Sequence, residues 1–301
     1  MVNSMKRIVF SATILGALTS LASAAPKKTP LPPATFPAAG DTLAVTGDPT
    51  WVKRDWLYDV PSVNDAAGKV VIHWFCVPKV KTCIDDLARL VTLKENTGRV
   101  YIVAYIGGSK RDAKKLDPIR ESEGVGRGTL AYGKGPTTLM KQMQITGPAS
   151  VIVDVDGKVA MVTTSGDPAA LDMRDQKATS LAAAIKDYAA SSSQAPKGTK
   201  PGDKFSLSMS VKLAPWIKPS PKTPTEFKLT APPDFTCDAK ALRGDQIKVE
   251  GQTLTATVTC SAPRGAYEAR GELRFGYQDA TGSAGLGTES AGWKFDVKPG
   301  T

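Results

Sequence analysis

The sequence predicts an α/β domain, a central mixed sheet flanked by helices, followed by an all-β sandwich. Three observations carry this expectation. The apolar run Val70-Val71-Ile72-His73-Trp74-Phe75 leads into an amphipathic stretch and then a second apolar run, Val100 to Ile106. A strand, a helix and a strand in that order imply a parallel pair with a crossover helix. From Phe205 onward, short segments alternate with period two and are punctuated by Pro and Gly, the pattern of a β-sandwich.

The 301 residues suit two domains. Lys6 and Arg7, the apolar core Ile8 to Leu21 and the small residues Ala22-Ser23-Ala24 read as a cleavable secretory signal, cut after Ala24. The mature protein is therefore expected to be soluble and periplasmic or secreted, with no further apolar run long enough to span a bilayer. Residues 1–24 hold two basic and no acidic residues, so their removal takes the formal charge from +10 to +8. The remaining basic residues are scattered and do not alternate with aromatics, which argues against nucleic-acid binding. Residues 25–42, rich in Pro and Ala, read as an extended tether.

Trp51 and Trp56 read as packing residues, and Ala66 to Lys69 as a turn feeding the Val70 strand. Ile84, Leu87, Ala88 and Val91 form one apolar stripe on the helix that follows. Thr82 is its expected N-cap, with Asp85 in the capping-box position, so Cys83 would be the first helical residue. There its sulfur would face unpaired backbone N–H groups and the positive end of the helix. Lys79 and Lys81 add positive charge, and together these features favour the thiolate. Ser109 is expected to cap a short helix in the charged segment that Pro118 interrupts, and Thr137 to Gln144 reads as another short helix. Val151 to Val159 reads as a hairpin turning at Asp156-Gly157, a turn rather than a calcium loop. Lys177 to Ala190 reads as a closing helix and Ser191 to Pro201 as the linker.

Four cysteines fall two in each half, Cys76 and Cys83, then Cys237 and Cys260, which predicts one disulfide per domain. Cys237 and Cys260 lie at the ends of strand-like segments, where a cross-strand staple is the expected arrangement. The single histidine, His73, excludes multi-histidine metal sites and sits within a buried strand. No cofactor and no metal site is expected.

With these elements in place, residues 43–190 resemble the thioredoxin-like superfamily, closest to the TlpA-type exported thioredoxins and the peroxiredoxins. The most telling match is Gly147-Pro148-Ala149-Ser150 and the strand and turn through Val159. The resemblance implies that Pro148 is cis and shapes a groove for extended peptide beside the cysteines. The cysteine spacing departs from both branches. Cys76 and Cys83 are seven positions apart, where a thioredoxin has Cys-x-x-Cys. The peroxiredoxin Pro, Thr and Arg positions hold Cys76, Val80 and Pro148, so at most weak peroxidase activity is expected. Residues 200–299, after a linker at 191–199, resemble the immunoglobulin-like N-terminal domain of the DsbD family. The matching residues include Lys200 to Phe205, Leu213 to Ile217 and Gly271 to Phe275. The two exchange cysteines of that family are missing between Tyr277 and Gly292, so this domain is expected to be non-catalytic.

Three functions stay open on the sequence. The first is an exported thiol–disulfide oxidoreductase. Cys83 attacks, Cys76 resolves, and Lys79, Lys81, Thr82 and Pro148 support them; the partners are protein thiols and disulfides of the cell envelope. The second is a redox-inactive binding or structural protein whose two disulfides are both structural. The third, copper(I) delivery, is disfavoured because His73 and Cys76 point to opposite faces of one strand.

Overall fold

The structure, a computed structural model, describes residues 34–48, 51, 55–57, 60–116 and 129–299. The signal segment, the first part of the tether and Pro118 lie outside the described residues.

The α/β domain is built on a six-stranded mixed sheet. Its strands are β1 (Asp55–Leu57), β2 (Val70–Cys76), β3 (Val100–Ile106), β4 (Thr129–Tyr132), β5 (Ala149–Val153) and β6 (Val159–Thr163). They lie in the order β1-β4-β3-β2-β5-β6. The β2–β3 and β3–β4 pairs are parallel, and β2–β5 and β5–β6 are antiparallel. The central strand β2 is buried along its whole length, as its unbroken apolar run requires.

The helices are α1 (Val63–Ala66), α2 (Lys81–Thr97), α3 (Lys110–Lys114), α4 (Lys134–Gln142) and α5 (Pro168–Ala184). The crossover from β2 to β3 is α2, which ends at Gly98 in the left-handed conformation, φ 63°. One sheet face packs Val70, Ile72, Trp74 and Cys76 against α2 and α5. The other packs Val71 and Phe75 with Trp51, Tyr105 and the α4 residues Leu139 and Met140. Trp51 meets Phe75 edge-on at 5.4 Å, the packing role expected of it.

The end of the expected tether docks on this domain. Gly40 N–H donates to Val159 O at 2.8 Å, Leu43 N–H donates to Gly157 O at 3.0 Å, and the Phe36 ring meets Phe75 at 5.8 Å. The Asp156-Gly157 turn is tied by Asp154 Oδ1, which accepts from Asp156 N–H and Lys158 N–H at 3.0 and 2.8 Å.

Ser109 caps α3 in a reciprocal box with Asp112. The bonds from Ser109 and Lys115 hold the Asp112 carboxyl at about 2. Because the folded value is depressed, the contribution of this carboxylate to stability is present above the ordinary range near 4. It is lost as pH falls through about 2. A carboxyl NMR titration is expected to place the Asp112 midpoint about two units below an unpaired aspartate; a midpoint near 4 contradicts the cap.

The β-rich C-terminal half consists of two antiparallel sheets. One orders β12 (Ala241–Arg243), β10 (Glu226–Thr230), β15 (Gly265–Asp279) and β16 (Ala284–Val297), with β9 (Ile217–Pro219) on β15. The other orders β11 (Thr236–Cys237), β14 (Thr253–Ser261), β8 (Phe205–Leu213) and β7 (Tyr188–Ser192), with β13 (Lys248–Glu250) on β14. Alternate residues of both sheets meet in one core. At its centre the bare Gly271 lets Phe227, Met209 and Trp293 close in; a Cβ there would stand 2.8–2.9 Å from all three.

The expected helix from Lys177 to Ala190 is corrected. Helix α5 starts at Pro168, which stands at a first-turn position after the Asp167 cap, and ends at Ala184. Tyr188 to Ser192 instead pairs with β8, and the Tyr188 ring packs edge-on against Phe275 at 4.9 Å. Tertiary packing overrides the helix propensity of an Ala-rich stretch here. The expected boundary at 190 therefore falls inside β7. Just before it, Asp187 takes a two-pronged bond from Arg99, at 3.0 and 2.6 Å, and a third from Trp216 Nε1 at 3.3 Å. The Trp216 indole lies over Gly68, where a Cβ would stand 2.6 Å away, so one carboxylate and one indole tie the β-rich half to the α/β half.

Cys237 and Cys260 face each other across β11 and β14 and are bonded, as expected. Their separation of 23 residues implies that replacing both by serine costs about 3 kcal/mol. Urea unfolding of the double variant reads this, and a loss below about 1 kcal/mol would mean the sandwich core needs no staple.

Candidate functional site

The site forms where β2 ends and α2 begins. The period-two alternation of β2 puts Trp74 and Cys76 on the face that α2 covers. Cys83 enters the same cluster from the first turn of α2. Cys76 and Cys83 lie in this one buried cluster, and the Cys83 sulfur accepts the N–H of Val77, the residue next to Cys76, at 3.1 Å. Both cysteines are thiols, so the expected disulfide of the first domain is absent from this structure. Each is 0% exposed.

Burial is the main cause that pushes the Cys76 thiol far above its ordinary range. The Cys83 hydrogen bond and the charges of Cys83 and Asp86 add to it. Cys76 therefore keeps its proton at neutral pH.

The expected capping is corrected. Helix α2 begins at Lys81 with Val80 as its N-cap and no side-chain cap, so Cys83 is the third helical residue. A turn closed by Val80 N–H to Val77 O at 2.9 Å brings the chain into helical geometry two residues early, and Thr82 is left exposed. Lys79 is exposed as well, and the Lys81 ammonium lies 3.8 Å from Asp85 in solvent. That is a surface pair of small energetic weight.

The expected cis bond is corrected too: there is no cis peptide among the described residues. The trans form is the default for a proline bond, and here β5 continues straight into its pairing with β2. Pro148 is buried one step beyond the pair Phe75↔Ala149, which continues the register to a position opposite Cys76. Of the predicted residues, Cys76 and Cys83 share one buried cluster and Pro148 stands next in register to them; Lys79, Lys81 and Thr82 are exposed.

Beside the thiols lies a buried charged group that sequence reasoning missed. Asp86 Oδ2 accepts Trp74 Nε1–H and Arg174 Nη1–H, both at 2.8 Å. Arg174 also binds Asp175 at 2.8 Å, and Arg89 bonds to Asp175 and to Asp172. The Asp86 and Arg174 side chains are 0% exposed. Asp86 stands three residues after Cys83 on the buried side of α2. The observed stripe is Cys83, Asp86, Leu87, Leu90, Val91 and Leu93, with Ile84 and Ala88 half-buried.

The donor set does not suit copper(I). His73 lies on the opposite sheet face with Nδ1 3.2 Å from the Tyr105 hydroxyl. No group of three His, Cys, Asp or Glu among the described residues could hold a metal ion. No helix of the described residues is long and apolar enough to cross a membrane.

No family model matches the chain, and no curated protein matches it at significance. Solved structures similar over about half of it are thioredoxin-like disulfide oxidoreductases. DsbF of MTB shares 18% identity at a TM-score of 0.35, covering 46% of this chain and 99% of that one. A secreted disulfide oxidoreductase of Mycobacterium tuberculosis shares 16% at 0.33, covering 44% and 96%. A thiol:disulfide interchange protein of the thioredoxin family from Chlorobium tepidum shares 16% at 0.32, covering 48% and 95%.

Proposed function

We propose that the chain is an exported thiol–disulfide oxidoreductase acting on thiols and disulfides of the cell envelope, released there by cleavage after Ala24. Cys83 is the attacking sulfur and Cys76 the resolving thiol. Pro148 shapes the wall beside them, and the C-terminal sandwich serves as an immunoglobulin-like, non-catalytic module. The observation that carries this reading is the burial of Cys76 and Cys83 in one cluster at the strand-to-helix junction, with the Cys83 sulfur taking the N–H of Val77, next to Cys76. Two sulfurs held in one cluster can be joined with small rearrangement when a substrate disulfide takes two electrons and two protons from them and leaves as two thiols. The proton held by Cys76 fits the resolving role, since the resolving sulfur acts second.

A second reading, a redox-inactive binding protein, is favoured by the 0% exposure of both sulfurs. Equilibration with mixtures of reduced and oxidised dithiothreitol, followed by mass counting of alkylated thiols, separates the two. Two thiols are expected to disappear together over a narrow range of ratios, while Cys83→Ser leaves Cys76 alkylatable at every ratio. A parent protein that keeps both thiols under fully oxidising, native conditions supports the second reading.

A further inference from the structure

Because both thiols are sealed, whatever reacts with them must enter through the shell. Between the first turns of α2 and the β6–α5 loop is a cleft of about 310 Å3, lined by Thr82, Asp85, Asp86, Arg89, Gly166 and Pro168 among others. The loop closes on the site at Gly166: a Cβ there would stand 3.0 Å from two Pro148 ring carbons and 3.9 Å from Thr82 Oγ1. Pro148 is in turn the neighbour of Cys76 by register. The cleft thus reaches the pair from two sides: Thr82 and Asp86 flank Cys83 on α2, and Gly166 packs on Pro148.

Arg89 is already tied to Asp172 and Asp175, which leaves Asp86 to set the chemical preference of the cleft. Asp86 Oδ2 takes two donors, while its Oδ1 is buried and has no hydrogen-bond partner among the described residues. A buried acceptor of this kind calls for a donor. Asp85, exposed at the same cleft, adds a second carboxylate.

Building on the oxidoreductase reading above, we propose that the substrate reaching the pair directly is a low-molecular-weight disulfide bearing an amino group, which enters this cleft and donates N–H to Asp86 Oδ1. A folded protein disulfide does not fit the cleft. The Cys83 thiolate attacks one sulfur of the substrate RSSR, breaking its S–S bond and releasing RS⁻. Cys76 then attacks the Cys83 sulfur of the mixed disulfide and expels the second RS⁻. The two protein thiols give up two electrons and two protons, and the products are one protein disulfide and two RSH.

The test uses the reduced full chain with cystamine, dithiodipropionate and insulin as oxidants. Each rate is divided by the rate of the same oxidant on the chain unfolded in urea, which removes intrinsic reactivity. Cystamine is expected to exceed dithiodipropionate by about tenfold, a carboxylate-to-ammonium preference. That runs against the +10 charge of the chain, which by itself would draw in the dianion. Insulin is expected to be slower than both. Asp86→Asn should bring the ratio of the two small oxidants to about one. Thr82→Arg, at an exposed position that leaves the core intact, should do the same by setting a cation at the mouth. Equal normalised rates in the parent, a ratio that neither variant changes, or insulin reacting as fast as cystamine would overturn the proposal. If none of the three oxidises the pair although dithiothreitol mixtures do, this inference fails and the oxidoreductase reading stands. If dithiothreitol fails too, both fall.

Discussion

Arg174→Met is expected to lower the stability of the folded chain by about 3–5 kcal/mol, the cost of leaving a buried charge without its partner. Arg174 is 0% exposed and its Nη1 is one of two donors on Asp86 Oδ2. Without it, Asp86 keeps only the Trp74 indole N–H, with Oδ1 already lacking a partner among the described residues. Methionine fills much of the volume, so the loss reports charge more than cavity. The double variant Asp86→Leu with Arg174→Met removes both charges and is expected to recover most of the loss, because a buried ion pair adds little over apolar packing of similar size. Guanidinium unfolding of the parent, the single and the double variants measures both effects. A single variant within about 1 kcal/mol of the parent would show that Asp86 carries no charge needing compensation.

The second large effect falls on reactivity. Cys83→Ser is expected to abolish exchange with small disulfides, because a serine hydroxyl is not ionised near neutral pH and cannot replace the sulfur as nucleophile. Cys76→Ser should instead react once and stop, with the mixed disulfide accumulating on Cys83, because the resolving sulfur is gone. Mass spectrometry of the folded variants distinguishes the two. Adduct on Cys76 in the Cys83→Ser protein, at the rate of the parent, would reverse the assigned roles. The raised Cys76 thiol argues against that reversal, since burial and the neighbouring Asp86 charge hold its proton in place.

Much of this was legible in the residues themselves. The unbroken apolar runs of β2 and β3 gave the parallel pair, and the strict alternation of β8 gave the sandwich, because both signals are local and repeat with the geometry of the element. The Cys237–Cys260 pairing was also readable, whereas the expected Cys76–Cys83 bond is not formed and the two stand as thiols in one buried cluster. The start of α2 was not. The capping residues Thr82 and Asp85 are present, yet a turn at Val77–Val80 begins the helix earlier. The Asp86–Arg174 pair was beyond reach for a different reason. Its members are 88 residues apart, and nothing local marks either as buried. The Asp167-Pro168 start of α5, by contrast, is a recognisable helix opening. It would have freed Tyr188 to Ser192 to be read as a strand.

The most direct measurement is a disulfide map of the native chain before and after mild oxidation. Trypsin cuts after Lys79 and Lys81, so Cys76 and Cys83 fall on separate peptides that only a bond between them can join. The expected result is a linked Cys76–Cys83 peptide pair that forms in the folded protein and opens with dithiothreitol before Cys237–Cys260 does. A native chain in which Cys76 and Cys83 stay free under oxidation, or link elsewhere, would contradict the account.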